Sequence, residues 1–212
     1  MDLYFAPFAC SMATRIAFYE AGVEARYIEV DTRTGRTLAG DDFLAINPLG
    51  QVPVLRTDEG WLLTENAAIL QHVAERLPAA GLMPEDAAGR DRLREWLSFV
   101  STELHKAVFT PLLSSKAPDG AKAFARELAG PRFDRLSRHL DGRRPFLLDR
   151  FGVADAYLAV VLTWTRAAGL DPAAWPAVRA WHKAILERPG VARAVREERV
   201  LYEAEQARHA AA

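Results

Sequence analysis

A segment rich in proline, glycine and alanine, residues 78–89, divides the chain into two parts of different character. Before it, short apolar runs typical of strands alternate with helical periodicity, and after it only helical periodicity is found. With 212 residues, half of them apolar, the chain is long enough for two domains with cores of their own. We therefore predict a mixed α/β domain over 1–77, a linker over 78–89 and an all-helical domain over 90–212.

The first domain is predicted to begin with a β-α-β unit. Residues 3–5 and 27–30 have strand composition and a helical period lies between them, so the two strands should be parallel. The elements that follow are a short helix near 42–46, a hairpin of 52–56 with 61–63, and a helix over 65–76. The order is therefore β-α-β-α-β-β-α. In the second domain we predict helices near 90–113, 121–140, 153–168, 173–186 and 191–199, with a frayed tail after Arg199.

The charge balance limits the partners of the protein. Lys plus Arg number 27 and Asp plus Glu number 28, so a net charge of −1 gives no electrostatic footprint for nucleic acid or an anionic membrane. Met1-Asp2-Leu3 lacks the basic residues of a signal peptide and no apolar run approaches the ~18 residues of a membrane span, so we expect neither secretion nor a membrane-spanning segment. A single cysteine fits a reducing compartment. We expect a cytoplasmic protein that binds neither nucleic acid nor membrane and has no metal cofactor.

Cys10 is the only cysteine and lies where the first strand gives way to the first helix. Unpaired N–H groups and the helix dipole at a helix start favour a thiolate, so its pKa is expected to fall from about 8.5 towards about 7. No second cysteine follows to give a C-x-x-C motif, and any disulfide must therefore form with another molecule. The alternative is a small buried side chain without chemistry.

Two further stretches of the first domain carry candidate binding groups. Pro53 lies within a predicted strand, and a cis Val52–Pro53 bond would turn the Val52 backbone outward to pair with a short peptide. The alternative is an ordinary edge proline. At the start of the helix near 65, bare N–H groups with Glu65 and Asn66 could hold the carboxylate and ammonium of an amino acid. The alternative is plain helix capping by Thr64.

The long helix near 90–113 carries an unusual polar stripe beside its apolar one. Ser98, Ser101, Thr102 and His105 follow helical spacing, where a solvent face would carry Lys and Glu. A histidine in a shielded cleft can donate to a sulfur or move a proton at neutral pH. The alternative is a structural histidine bonded to the backbone. Asp155 fits the N3 position of a capping box behind Gly152, and we predict a structural role for it.

Taken together, these motifs resemble those of bacterial glutathione transferases of the beta class. The resemblance runs from Leu3 to Gly190. The matching segments are Ala9-Cys10-Ser11, Gly40-Asp41-Asp42-Phe43, Asn47-Pro48, Gly50-Gln51-Val52-Pro53, Leu63-Thr64-Glu65, Thr102-Glu103-Leu104-His105-Lys106 and Ala154-Asp155-Ala156-Tyr157. The resemblance implies a thioredoxin-like domain followed by an all-helical domain, and a homodimer.

The resemblance also implies a glutathione site. The cysteinyl part would pair with the Val52 backbone, the γ-glutamyl end would meet Glu65 and Asn66, and the thiol would meet Cys10. Asn66 departs from the usual small residue, and Phe8 stands where the family has glycine. Cys10 and His105 are the implied catalytic residues. The implied glutathione-binding residues are Ser11, Gln51, Val52, Pro53, Glu65, Asn66, Lys106, Arg36 (or Arg33) in place of the usual loop lysine, and Ser98 and Thr102 from the partner subunit.

The predicted activity is transfer of glutathione, as co-substrate, to a small electrophile. Thiol–disulfide exchange or peroxide reduction through a Cys10–glutathione mixed disulfide is the related chemistry that this thiol would support. Two other functions stay open at this point. One is a non-catalytic binding or regulatory module with the same fold, and the other is a monothiol reductase that acts only on protein disulfides.

Overall fold

The computed structural model describes residues 1–141 and 145–211 of the chain. They form two compact units. The first comprises Met1–Ala80 together with the C-terminal segment that begins at Arg188, and the second is Gly81–Glu187. The predicted division at 78–89 lies where the first unit gives way to the second. The predicted extent of the helical domain to residue 212 differs from this grouping, because the segment from Arg188 belongs to the first unit.

The first unit is built on a five-stranded sheet with the order β3-β2-β1-β4-β5. Its elements are β1 (Asp2–Phe5), α1 (Met12–Glu20), β2 (Arg26–Asp31), β3 (Arg36–Thr37), β4 (Val54–Arg56), β5 (Leu62–Leu63), α2 (Asn66–Arg76) and α8 (Pro189–Ala211). β1 runs parallel to β2, with Leu3 opposite Tyr27, and antiparallel to β4, with Tyr4 opposite Val54. The remaining pairs, β2 with β3 and β4 with β5, are antiparallel.

Both faces of this sheet are covered. Tyr4, Val30, Phe43 and Val54 form one buried apolar cluster. Leu3, which alternates with Tyr4 along β1 and so points to the other face, is also fully buried. A central strand covered on both faces requires a nearly continuous apolar sequence, as residues 3–5 provide.

The predicted helix near 42–46 is wrong. The polar segment after β2 contains the short strand β3 instead, and Phe43 begins a single turn in which its carbonyl accepts from the amides of Ile46 and Asn47. Pro48 disfavours helical backbone at the residue before it, so this turn does not continue into a helix. Within the first unit, the elements that precede α8 therefore follow the order β-α-β-β-β-β-α.

The predicted fraying after Arg199 is also wrong. α8 continues to Ala211 and packs along α1. Its C-terminal turns have few apolar side chains, but side-chain contacts connect them to β2. Arg208 pairs with Glu29 at 2.5 Å, and Nε2 of His209 lies 3.3 Å from Asp31. These partners are far apart in sequence, and local apolar periodicity does not reveal them.

The second unit is helical in its described residues. Its helices are α3 (Ala87–Ser98), a π-helical segment (Phe99–Phe109), α4 (Thr110–Leu113), α5 (Asp119–Leu140), α6 (Val153–Thr163) and α7 (Pro176–Leu186), with 3-10 turns at Pro78–Ala80 in the first unit and Pro172–Ala174 in the second. The first three adjoin without a break, as the predicted helix near 90–113 requires. Among the residues described, no helix combines the length and the apolar character needed to cross a bilayer.

α6 is the core helix of the second unit. All residues from Val153 to Leu162 are buried. Asp155 accepts from the amide of Gly152 at 2.9 Å and from that of Leu147 at 2.8 Å, which confirms its structural role as an N-terminal cap. The helix ends at Thr163, before the predicted residue 168.

Candidate active site

Cys10 lies in the turn that joins β1 to α1. Its carbonyl accepts from the amide of Ala13, within the turn that leads into the helix, and its thiol Sγ lies 3.4 Å from the carbonyl oxygen of Val52. The residue is 8% exposed. Its thiol therefore has a polar partner on the adjoining loop, unlike a cysteine that serves only to fill an apolar core. The predicted position at the head of α1 is confirmed.

Ser11 has a different environment from the one predicted. Its hydroxyl donates to the carbonyl of Ala6 at 3.2 Å and lies 3.4 Å from the amide of the same residue. The residue is fully buried. Donor and acceptor functions of the hydroxyl are thus both used within the turn, and the contact of Ser11 with glutathione stays a prediction. Ser11 shapes the loop that carries Cys10.

The Val52–Pro53 peptide bond is cis, as the first of the two alternatives requires, and the pairing of Val52 with a peptide stays a prediction. It lies directly before β4, the strand that pairs with β1 beside Cys10. The preceding loop is held by Asn47, whose side-chain amide donates to the carbonyl of Gln51 at 2.7 Å. Gln51 itself is exposed. Val52 is thus the residue of this loop that the structure brings against Cys10.

Glu65 is the N-cap of α2 and stands in a left-handed conformation with φ of 66°. A non-glycine residue in this region costs roughly 1–3 kcal/mol and is often found at functional sites. Its side chain makes no hydrogen bond to the helix end and is exposed. Thr64 is not the N-cap, so capping by Thr64, the alternative from the sequence, is wrong. The carboxylate of Glu65 does not cap the helix either.

Asn66 opens α2 and is almost fully buried. Its side-chain oxygen accepts from the hydroxyl of Thr14 at 3.3 Å, which ties α2 to α1. Its amide nitrogen is buried and, within the described part of the chain, has no hydrogen-bond partner. Such an orphaned donor costs about 1–3 kcal/mol unless another group satisfies it. Asn66 therefore offers an unsatisfied N–H beside the amino end of a helix, where an anion is favoured.

Arg36 lies on β3 and directs its guanidinium to the carbonyl of Gly40 at 2.9 Å. The side chain therefore braces its own loop, with Gly35 in a left-handed conformation before it. Its predicted contact with a glycine carboxylate stays a prediction.

His105 belongs to the second unit and lies in the π-helical segment, a type of helix that is frequent at functional sites. Its Nδ1 lies 2.7 Å from the hydroxyl of Tyr157, and its ring meets that of Trp164 edge-on at 4.9 Å. Its observed partner is thus a side chain, not the backbone. Burial, with a smaller effect of Lys106, lowers the pKa of His105 to about 4.

That pKa makes His105 neutral at pH 7. A neutral imidazole has a single N–H, and it lies on Nε2 when Nδ1 accepts from Tyr157. His105 can then act as a hydrogen-bond donor from Nε2, and its catalytic role stays a prediction. The other residues predicted on this helix, Ser98, Thr102 and Lys106, are exposed. The hydroxyl of Thr102 donates to the carbonyl of Ser98 at 2.9 Å.

One residue beside the Cys10 turn was not predicted. The carboxyl group of Glu198 on α8 accepts from the amide of Phe8 at 2.7 Å. Phe8 has a φ of 54°, and a side chain at a position that favours glycine is the sequence signal that could have drawn attention to this turn.

Comparison with known proteins gives the family. Residues 1–75 match the family model for the glutathione S-transferase N-terminal domain, and residues 120–184 match that for the C-terminal domain. Glutathione S-transferase GstA of Escherichia coli O157:H7 is 37% identical over 192 residues, which are 90% of this chain and 95% of that protein.

Solved structures agree with the sequence comparison. A sphingomonad glutathione S-transferase in complex with glutathione has a TM-score of 0.88 at 43% identity, covering 93% of this chain and 98% of that one. The bacterial beta class glutathione S-transferase of Sphingomonas chungbukensis has the same TM-score at 40% identity, with the same coverage of 93% and 98%.

The chain belongs to the glutathione S-transferase family. The predicted fold, a thioredoxin-like unit with a mixed sheet and a helical unit, is confirmed at the level of the family. The predicted enzyme class, a glutathione transferase, is confirmed as well.

Proposed function

We propose that this chain is a beta-class glutathione transferase that binds glutathione along the first unit, with Cys10 at the sulfur. The observation that carries the proposal is the orphaned amide of Asn66 at the head of α2. A buried donor without a partner is satisfied by a ligand acceptor, and the amino end of a helix favours a carboxylate there. The likeness to the Sphingomonas chungbukensis enzyme supports the class.

The proposed contacts follow the chemistry of the tripeptide. The α-carboxylate of the γ-glutamyl group accepts from Asn66, and its ammonium meets the carboxylate of Glu65. The backbone of Val52, beside Pro53, pairs with the cysteinyl residue as a further strand would. The sulfur of glutathione then lies at Cys10, which Val52 already contacts at 3.4 Å. Gln51 and Arg36 are proposed to border the tripeptide.

The residues of the second unit complete the proposal. His105 is proposed to donate from Nε2 to the sulfur of glutathione, with Lys106 as a nearby positive charge. Ser98 and Thr102 are proposed to reach the glutathione bound by a partner subunit of a homodimer. The protein is further proposed to act in the cytoplasm without a metal.

Two reactions are proposed at this site. In conjugation, the glutathione thiolate attacks an electrophilic carbon, a carbon–sulfur bond forms and the leaving group departs with its electron pair. In exchange, the Cys10 thiolate attacks glutathione disulfide. A Cys10–glutathione bond then forms while the disulfide bond breaks, and glutathione thiolate leaves.

Retention on immobilised glutathione, followed by an assay with glutathione and an aryl halide, tests the proposal. We expect retention, elution by free glutathione and release of halide. Retention without conjugation would favour the monothiol reductase, and loss of retention would overturn glutathione binding.

Asp155 is not suitable as a position for a control variant, because its loss disturbs the fold. Glu59 is the control position instead, since its exposed side chain pairs with Arg76. The variant Glu59→Gln should bind glutathione and react as the parent does.

A further inference from the structure

The turn that carries Cys10 contains a residue in an unfavourable conformation. The turn is closed internally at Ala6, which bonds to Ser11 and accepts from the amide of Ala9. Phe8 lies between these contacts with a φ of 54°, in the left-handed region that side chains other than glycine seldom adopt. Such a conformation persists only when the surroundings impose it.

The surroundings that impose it come from the C-terminal helix. The amide of Phe8 donates to Oε2 of Glu198 at 2.7 Å, and the two residues are 190 positions apart. The ring of Phe8 meets that of Tyr202 edge-on, with centroids 5.6 Å apart. Glu198 and Tyr202 are four residues apart and so share one face of α8. Backbone and side chain of Phe8 are thus held by the same face of one helix.

Glu198 is itself fixed. It is fully buried, and its Oε1 lies 3.2 Å from Nε of Arg15 on α1. The guanidinium of Arg15 is stacked on two rings, 4.3 Å from the centroid of Phe5 and 4.1 Å from that of Tyr27. Within the described residues Oε1 accepts no hydrogen bond, so this buried carboxyl group is held by its ion-pair contact with Arg15 and by the hydrogen bond that Oε2 accepts from the Phe8 amide.

We propose that Glu198 is a positioning residue for Cys10. Its carboxyl group, anchored by Arg15, holds the amide of Phe8 and so fixes the turn that presents the thiol two residues later. Glu198 acts through Phe8 and touches neither substrate nor sulfur. The proposal rests on the proposed function insofar as Cys10 is the reacting thiol.

A double-mutant cycle tests this directly. Glycine adopts a positive φ without help, so Phe8→Gly removes the need for the Glu198 contact. The reaction of Cys10 with a chromogenic aryl disulfide is measured from pH 6 to 9. Glu198→Leu should slow it about tenfold and shift its pH profile, while the same change in the Phe8→Gly background should slow it less than about threefold.

Two variants serve as controls. Glu198→Gln keeps an oxygen that can accept from Phe8 and should react within about twofold of the parent. Glu197→Gln alters the adjacent side chain, which contacts Arg15 at 3.5 Å and Tyr19 but not the turn, and should leave the reaction unchanged. Equal slowing by Glu198→Leu in both backgrounds would overturn the proposal, as would slowing by Glu197→Gln as large as that by Glu198→Leu.

A second measurement needs no variant. Hydrogen exchange on the unaltered protein reports the Phe8 amide, which should be protected although it lies in a turn. Rapid exchange there would contradict the proposal even if Glu198→Leu failed to fold. Because the aryl disulfide probe requires no glutathione, absence of glutathione binding would refute the proposed function and leave the test of Glu198 intact.

Discussion

The thiol of Cys10 and the carbonyl oxygen of Val52 are 3.4 Å apart, although 42 positions separate the two residues. This contact joins the turn before α1 to the loop before β4. It gives the sulfur a polar partner on the loop along which the tripeptide is proposed to bind.

Replacement of Cys10 should abolish the reaction with glutathione disulfide and change the free energy of unfolding only slightly. Cys10→Ser keeps a donor for the Val52 carbonyl, so the free energy of unfolding should change by only about 1 kcal/mol. Incubation with glutathione disulfide should add one glutathione to the parent and none to the variant. Intact-mass spectrometry and urea unfolding measure the two effects. A glutathione adduct on Cys10→Ser would place the reaction elsewhere.

Asn66 should contribute to glutathione binding through its orphaned amide. Asn66→Asp keeps an acceptor for Thr14, but it places an unpaired negative charge in an almost fully buried position, so the variant should also be less stable than the parent although the start of α2 favours a negative charge. It also replaces the orphaned donor by an oxygen that repels a carboxylate, so the affinity for glutathione should fall at least about tenfold. Asn66→Ser, which restores a donor, is the matched control and should bind. Calorimetric titration showing equal affinity for all three proteins would refute the role of this amide.

His105 should make the protein less stable as the pH falls. Its folded pKa of about 4 lies below the ordinary 6.5, so the unfolded chain binds more protons between these values. Stability from this group is therefore present above pH 6.5 and is lost as the pH falls towards 4, by an amount of the order of 1–3 kcal/mol. His105→Gln should flatten this loss in urea unfolding at several pH values. An NMR titration of the His105 ring with a midpoint near 6.5 would contradict the prediction.

The contribution of Glu198 to stability should change with pH in the opposite direction to that of His105, and over a higher pH range. Burial raises its pKa to about 8 against the lowering effects of Arg15 and the Phe8 amide, and Glu197 on α8 and Glu29 on β2 raise it further. The folded chain then binds more protons than the unfolded one between pH 4.5 and 8, so this group weakens the fold as the pH rises. Glu198→Gln should therefore gain stability relative to the parent across that window. A constant difference between the two proteins from pH 5 to 8 would contradict this.

The sequence predicts the fold class and the Cys10 turn because local patterns specify them. A strand, a helix and a single cysteine between them follow from residue order alone. The strand β3 was missed because two residues are too few for a periodic signal. The bonds of Ser11 to Ala6 were not predicted, because they depend on the closed geometry of the turn. The contact of Phe8 with Glu198 spans nearly the whole chain, and no local pattern encodes it.

Because α8 packs against α1, the thioredoxin-like unit is assembled from two segments that lie far apart in the sequence. During synthesis, the sheet and its first helices leave the ribosome long before Glu198 does. Arg15 therefore lacks its carboxyl partners on α8, Glu197 and Glu198, until the intervening helical unit has been translated. The turn that carries Cys10 thus acquires its contact with α8 only at a late stage of synthesis.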